Sequence, residues 1–158
     1  MTTPTPFRYN DGGRKAAGYK GAAGDCACRA IAIAAGLPYQ VAYDLVDKFG
    51  AAERPSKQRA GRSSARTGVH GVTMRRIMEH LGWEWVPTMG IGTGCTVHLA
   101  VGELPGGRLV ANVSKHFVAV IDGVVHDTHD PTRDGTRCVY GYWLNPTNPP
   151  RTEDRDAC

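Results

Sequence analysis

No stretch of the 158 residues approaches the roughly 20 consecutive apolar side chains that a membrane span requires. The first 20 residues place Pro4, Pro6, Gly12 and Gly13 among charges and lack the apolar core of a secretory leader. We therefore expect no membrane association and a cytoplasmic setting. Charge of one sign is also scarce: 19 Lys+Arg against 15 Asp+Glu leave +4, too little by itself to mark a nucleic-acid binder. Wholesale disorder is excluded by 41% hydrophobic and only 22% charged residues, and the length suits one domain. Cysteine is sparse and odd in number: Cys26, Cys28, Cys95, Cys138 and Cys158 match no common disulfide framework, and disulfides are rare in the cytosol. Each Cys is thus weighed first as a nucleophile or a metal ligand.

Along the chain, residues 1–24 read as an extended, glycine-rich lead-in, 25–144 as a single domain and 145–158 as a loose, proline-rich tail. Asp25 is placed to cap a helix over the small apolar run 26–35, with Gly36 as its stop. A second helix is expected over 38–49, where Val41, Leu45, Val46 and Phe49 follow helical spacing, and a third over 73–81. Residues 51–69, with Arg54, Lys57, Arg59, Arg62 and Arg66, read as a mobile basic loop. Strands are expected over 83–86, 108–113, 116–121, 124–128 and 138–143, and a short helix over 96–103. The fold class is α+β, with N-terminal helices packed on a C-terminal antiparallel sheet.

The loop Asp122-Gly123 is the strongest hairpin signal in the chain, and it sets a register. Ile121 then faces Val124, Val118 faces Asp127 and His116 faces His129. Alternation puts His116, Val118 and Val120 on one face with Val125, Asp127 and His129. Asp127 becomes the diagonal neighbour of His116, roughly 7–8 Å away between backbones and within side-chain reach. A carboxylate there can fix the imidazole tautomer and stabilise imidazolium. His126 falls on the other face. Asn112 is an alternative third member only if the loop at Ser114-Lys115 is longer than two residues.

The nucleophile follows from a separate argument. Cys26 sits in the first turn of an apolar helix, where free N–H groups and the helix dipole favour thiolate and can hold an oxyanion. The charge of Asp25 opposes this unless capping absorbs it. Cys28 lies about 200° further round the helix, so only one of the two can face His116, and Cys26 is nearer the start.

The segments GDCACRAIAIAAGLPY (24–39) and SKHFVAVIDGVVHDTHD (114–130) together resemble the papain-like cysteine peptidase superfamily, in particular its compact bacterial and phage branches and the peptidases that process bacteriocins. The chain as a whole resembles small proteins of phage genomes, which would put it in the host cytoplasm. The match runs over roughly residues 19–143. It implies a papain-like fold, Cys26 as nucleophile, His116 as general base and later acid, Asp127 as orienting carboxylate, a protein or peptide substrate, and no cofactor. Where that superfamily often carries an oxyanion-hole Gln, this chain has Lys20; Tyr19 or Asn10 are the possible substitutes. The fuller papain motif of Gly, Ser and Trp around the Cys is absent.

The reading is a cysteine hydrolase acting through a thioester, a peptidase or isopeptidase. A deamidase or transglutaminase-like acyltransferase on the same triad is the first alternative. The second is a non-enzymatic protein that binds nucleic acid, an acidic partner or a host factor through the basic segment 54–76. Structural zinc is considered on Cys26-x-Cys28, Cys95-x-x-His98 and His126-x-x-His129, but the usual Cys-x-x-Cys spacing is missing. Gly90 to Gly94 hints at a phosphate loop, yet Cys95 stands where the next Gly belongs.

Overall fold

A small, almost wholly apolar segment must be buried on most sides, and that requirement places the first helix at the centre of the molecule. In the computed structural model, which describes residues 2–21, 23–54 and 61–146, helix α1 (Cys26–Ala35) buries seven of its ten residues. Gly36 ends it in the left-handed conformation, φ 69°, donating its N–H to the carbonyl of Ala32. Helix α2 (Tyr39–Ala51) starts after Pro38 and turns Ala42, Val46 and Gly50 inward. Helix α3 (Gly71–His80) buries Met74, Ile77 and Met78 at helical spacing.

The strands are β1 (Phe7–Tyr9), β2 (Glu84–Pro87), β3 (Arg108–Val113), β4 (His116–Ile121), β5 (Val124–Asp127) and β6 (Val139–Leu144). They form one six-stranded sheet in the order β1-β5-β4-β3-β6-β2. The three helices and this sheet make the chain an α+β protein. Helix α1 lies against β4, flanked by β3 and β5. Strand parity then divides the core. Val110, Phe117, Ala119 and Trp143 pack with Ile31, Val46 and Ile77 on the helical side. Leu109, Ala111, Val113, Val118, Val120 and Val125 pack with Leu99 on the other.

Four expectations are corrected. The sheet is mixed, because β1 pairs in parallel with β5, Phe7 beside Val125 and Tyr9 beside Asp127. The first 24 residues are therefore more than a lead-in. Residues 96–103 contain no helix: His98 bridges Cys138 and Ala100 bridges Pro4, so backbone pairing on both sides holds 96–100 out of a helix, and 101–103 turn. The basic loop is folded where it is described. Ser63 and Ala65 are buried, and the buried Glu53 carboxylate accepts from the Ser63 N–H at 2.7 Å and from the Thr73 hydroxyl. Residues 55–60 and 147–158, which hold the rest of that loop and most of the tail, lie outside the described residues. Among the described residues no helix is long and apolar enough to cross a membrane.

The folded-back segment runs so close to α2 that a Cβ on Gly50 would lie 2.0 Å from the Ser63 carbonyl oxygen. In an open helix, Gly→Ala stabilises by about 1 kcal/mol. Here Gly50→Ala has to move backbone, and overpacking of this kind costs typically about 1–3 kcal/mol. Urea unfolding of the variant is expected to give a lower midpoint; a raised midpoint would show that 61–69 is not packed on α2.

Candidate active site

Three chain segments meet at one end of the sheet. Cys26 is the first residue of α1, His116 opens β4 and Asp127 closes β5. The hairpin pairs Ile121 with Val124, Val120 with Val125 and Ala119 with His126, the register expected from Asp122-Gly123. That register carries His116 and Asp127 to the open end of the hairpin, opposite the turn. The imidazole Nε2 lies 2.5 Å from Asp127 Oδ2. The ring's other nitrogen is left for Cys26, whose thiol His116 influences electrostatically.

By strand parity His116 belongs with Val113 and Val118, on the side away from α1. It meets the helix because it stands at the end of its strand, where the ring is not confined to one face. The two-residue turn Ser114-Lys115, with Lys115 at φ 54°, pairs Val113 with His116 and Asn112 with Phe117. Asn112 is thereby one position out of register for the third triad role.

The electrostatics favour an ion pair. Burial raises the Cys26 thiol, but the His116 hydrogen bond and charge, the Phe117 backbone N–H and the Arg29 charge outweigh it, and the thiol sits below its ordinary value. Burial lowers the His116 imidazolium, but its hydrogen bonds to Asp127 and Cys26 prevail and push it up to about 9. Burial likewise raises Asp127; the bond and charge of His116, the Thr128 N–H and Arg29 hold it below the usual carboxylate range. Cys28 is the inert neighbour. It is fully buried, its thiol faces the Tyr39 carbonyl at 3.8 Å, and burial pushes it up to about 12.

Asp25 does not cap α1, and no side chain does so. Its carboxylate is instead held by the Arg29 guanidinium, by the Tyr39 hydroxyl at 2.7 Å and by Arg14 at 3.2 Å. Arg29 also reaches Asp127 Oδ1 at 3.4 Å. Because the first intrahelical bond is Arg29 N–H to the Asp25 carbonyl, the amides of residues 26–28 have no partner within the helix, and they lie beside the thiol. Neither candidate for the missing Gln is placed at the thiol. Tyr19 donates to Gln40 at 2.5 Å, and Asn10 accepts from the Gly12 N–H and approaches His126 Nδ1 at 3.3 Å. Lys20 borders a small pocket with Arg14, Tyr39, Tyr43 and Arg66.

His129 is exposed, with its ring centroid 5.4 Å from that of His116. His116, Asp127 and His129 each offer a ligand atom within 4.8 Å of the others, but an ion there would compete for the atoms that make the His–Asp bond. Arg14, Arg29 and Tyr39 escaped the reading of the sequence. The one available signal was Arg29 itself, a lone charge in an apolar helix four residues after Asp25. The cysteine reading is corrected as well, since Cys95 and Cys138 form a disulfide while Cys26 and Cys28 are free. Cys95 leads into an extended segment instead of a helix, so the phosphate-loop reading of 90–94 lacks its helix N-terminus.

Compared with known proteins, the chain matches no family model, no curated protein and no solved structure.

A thiol lowered by a neighbouring imidazole has a chemical signature. At neutral pH, iodoacetamide is expected to alkylate Cys26 while Cys28 stays unmodified, with peptide mass mapping as the measurement. His116→Ala removes two of the contributions that lower the thiol, so labelling should slow at least several-fold and its pH midpoint should rise. Equal rates in both proteins would rule out activation by the imidazole.

Proposed function

We propose that this protein is a cysteine hydrolase of papain-like architecture that cleaves peptide or isopeptide bonds through a thioester. The 2.5 Å contact between His116 Nε2 and Asp127 Oδ2, beside a thiol at a helix N-terminus, carries this reading. In the proposed cycle the Cys26 thiolate attacks the substrate carbonyl carbon. The oxyanion accepts from free amides at the start of α1. His116, already protonated, passes its Nδ1 proton to the departing amine as the C–N bond breaks. A water then attacks the thioester while His116 takes its proton, and the acid leaves with Cys26 restored as thiolate. Asp127 keeps the ring in one tautomer and one orientation throughout.

An amine in place of that water would make the same site a transglutaminase-like acyltransferase, and a side-chain amide substrate would make it a deamidase. The basic segment offers a non-catalytic alternative, binding to nucleic acid or an acidic host factor. Arg54, Arg62 and Arg66 are its described basic residues between 51 and 69, and Arg62 is already engaged with the Ala51 carbonyl.

A panel of peptide aldehydes and vinyl sulfones, read by intact mass, tests the proposal. Adducts are expected on Cys26 alone, and Cys26→Ala should abolish them. With a peptide substrate found in this way, kcat/KM should rise as the thiol deprotonates below its ordinary value. It should fall as pH increases through about 9, where His116 loses the proton the leaving group needs. Asp127→Asn is expected to cost on the order of a thousandfold in kcat. No adduct with any probe, combined with salt-dependent binding to DNA, would replace the hydrolase reading with the binding one.

A further inference from the structure

A second cluster of sulfur and imidazole lies outside the His–Asp site. Cys95 and His98 are three residues apart, and His98 is paired across strands with Cys138. Backbone bonds on either side of that pair hold the register, Leu99 N–H to the Arg137 carbonyl at 2.9 Å and Val139 N–H to the Val97 carbonyl at 2.8 Å. His98 Nε2 points at Cys95 Sγ, 3.5 Å away, and Cys138 Sγ is bonded to Cys95. The other ring nitrogen, Nδ1, faces the Glu103 carboxylate at 3.1 Å. The Cys95 sulfur thus lies next to His98 Nε2 and is bonded to the Cys138 sulfur, and the imidazole is oriented from behind by a carboxylate.

We propose that Cys95, Cys138 and His98 form a zinc site when their disulfide is reduced, with Glu103 as the positioning carboxylate on His98. Two thiolates and one imidazole are a recurrent zinc donor set, and the fourth tetrahedral position goes to water. Ideal Zn–S and Zn–N bonds at the tetrahedral angle put S and N about 3.5 Å apart, the separation already present between Cys95 and His98. The Cα atoms of Cys95 and Cys138 are 5.9 Å apart, so the sulfurs have only to rotate away from each other to admit the ion. The carboxylate on Nδ1 is the arrangement that fixes tautomer and raises basicity in metal-bound histidines. Opening the disulfide consumes two electrons and two protons, both supplied by a dithiol that leaves as its own disulfide. Zinc then displaces the two thiol protons into water. The site is partly exposed, with the His98 and Glu103 side chains at 32% and 27%, so reductant and ion can reach it. Either link, S–S or S–Zn–S, ties residues 88–98 to the start of β6. A reducing cytoplasm would therefore exchange one tie for the other rather than release the segment.

Cobalt(II) is the probe. The full chain carrying Cys26→Ala, which removes the nearest competing thiol at the His116–Asp127–His129 cluster, is reduced with a phosphine and titrated anaerobically. One equivalent is expected to give a thiolate-to-cobalt charge-transfer band and tetrahedral d–d bands, both lost on adding zinc. The oxidised protein should show neither band, a comparison that needs no substitution at the site. Cys138→Ser should abolish the charge-transfer band or weaken binding by orders of magnitude. Glu103→Gln should weaken binding about 10–100-fold, as loss of an outer partner does elsewhere. A reduced protein without a thiolate–cobalt band would overturn the proposal, as would bands that survive Cys138→Ser or that persist in the oxidised protein. No arm depends on catalysis, so the result is independent of the hydrolase reading.

Discussion

The structure turns on one guanidinium. Arg29, a single helical turn past Cys26, lies between Asp25 at the start of α1 and Asp127 at the end of β5. Both carboxylates are almost completely buried, at 1% and 3% exposure, where an unpaired charge is costly. The bridge therefore joins helix to sheet where the thiol and the imidazole must meet. Removing it would leave Asp25 to Arg14 and Tyr39, and Asp127 to His116 and the Thr128 N–H, with no charge joining helix to sheet.

Charge around the thiol is balanced once its protonation is taken into account. Asp25 and Asp127 are set against Arg14 and Arg29, and a Cys26 thiolate would be set against a His116 imidazolium. An acid immediately before a nucleophilic cysteine is otherwise a liability, because like charges resist ionising together. Here its negative charge is consumed by two arginines and a tyrosine hydroxyl, and α1 is left without a side-chain cap. The uncapped amides stay available to stabilise negative charge at the helix start. A conventional cap would have strengthened the helix by about 1 kcal/mol and occupied one of them.

The local grammar of the sequence carried the hairpin, and with it the His116–Asp127 relation. A two-residue turn and a period of two suffice to calculate which side chains are neighbours. Helices α1, α2 and α3 were legible for a similar reason, through apolar runs and helical spacing, with Gly36 as the stop of the first. What failed was set by partners distant in the chain. Residues 96–103 have a composition that tolerates a helix, yet Pro4 on one side and Cys138 on the other pair with Ala100 and His98 and prevent one. Asp25 has the residue type of a cap, but Arg14 and Tyr39 compete for its oxygens from outside the helix. The pairing of Cys95 with Cys138 spans 43 residues and depends on the β6 register, for which no local signal exists. The second face of the sheet, closed by Leu99, was hidden for the same reason.

Strand β1 is an edge of the sheet and lies next to β5. It contributes only three residues, all exposed, at the margin of the sheet. Yet Asn10 donates its N–H to the Asp127 carbonyl at 2.9 Å, and Val125 donates to Pro6 at 2.8 Å, so the strand bearing Asp127 is flanked on both sides. Proteolytic trimming of the first ten residues would leave that strand as a bare border, open to pairing with another chain and free to fray at its last residue. The earliest part of the polypeptide thereby acts as a chaperone in cis for a carboxylate more than a hundred positions downstream.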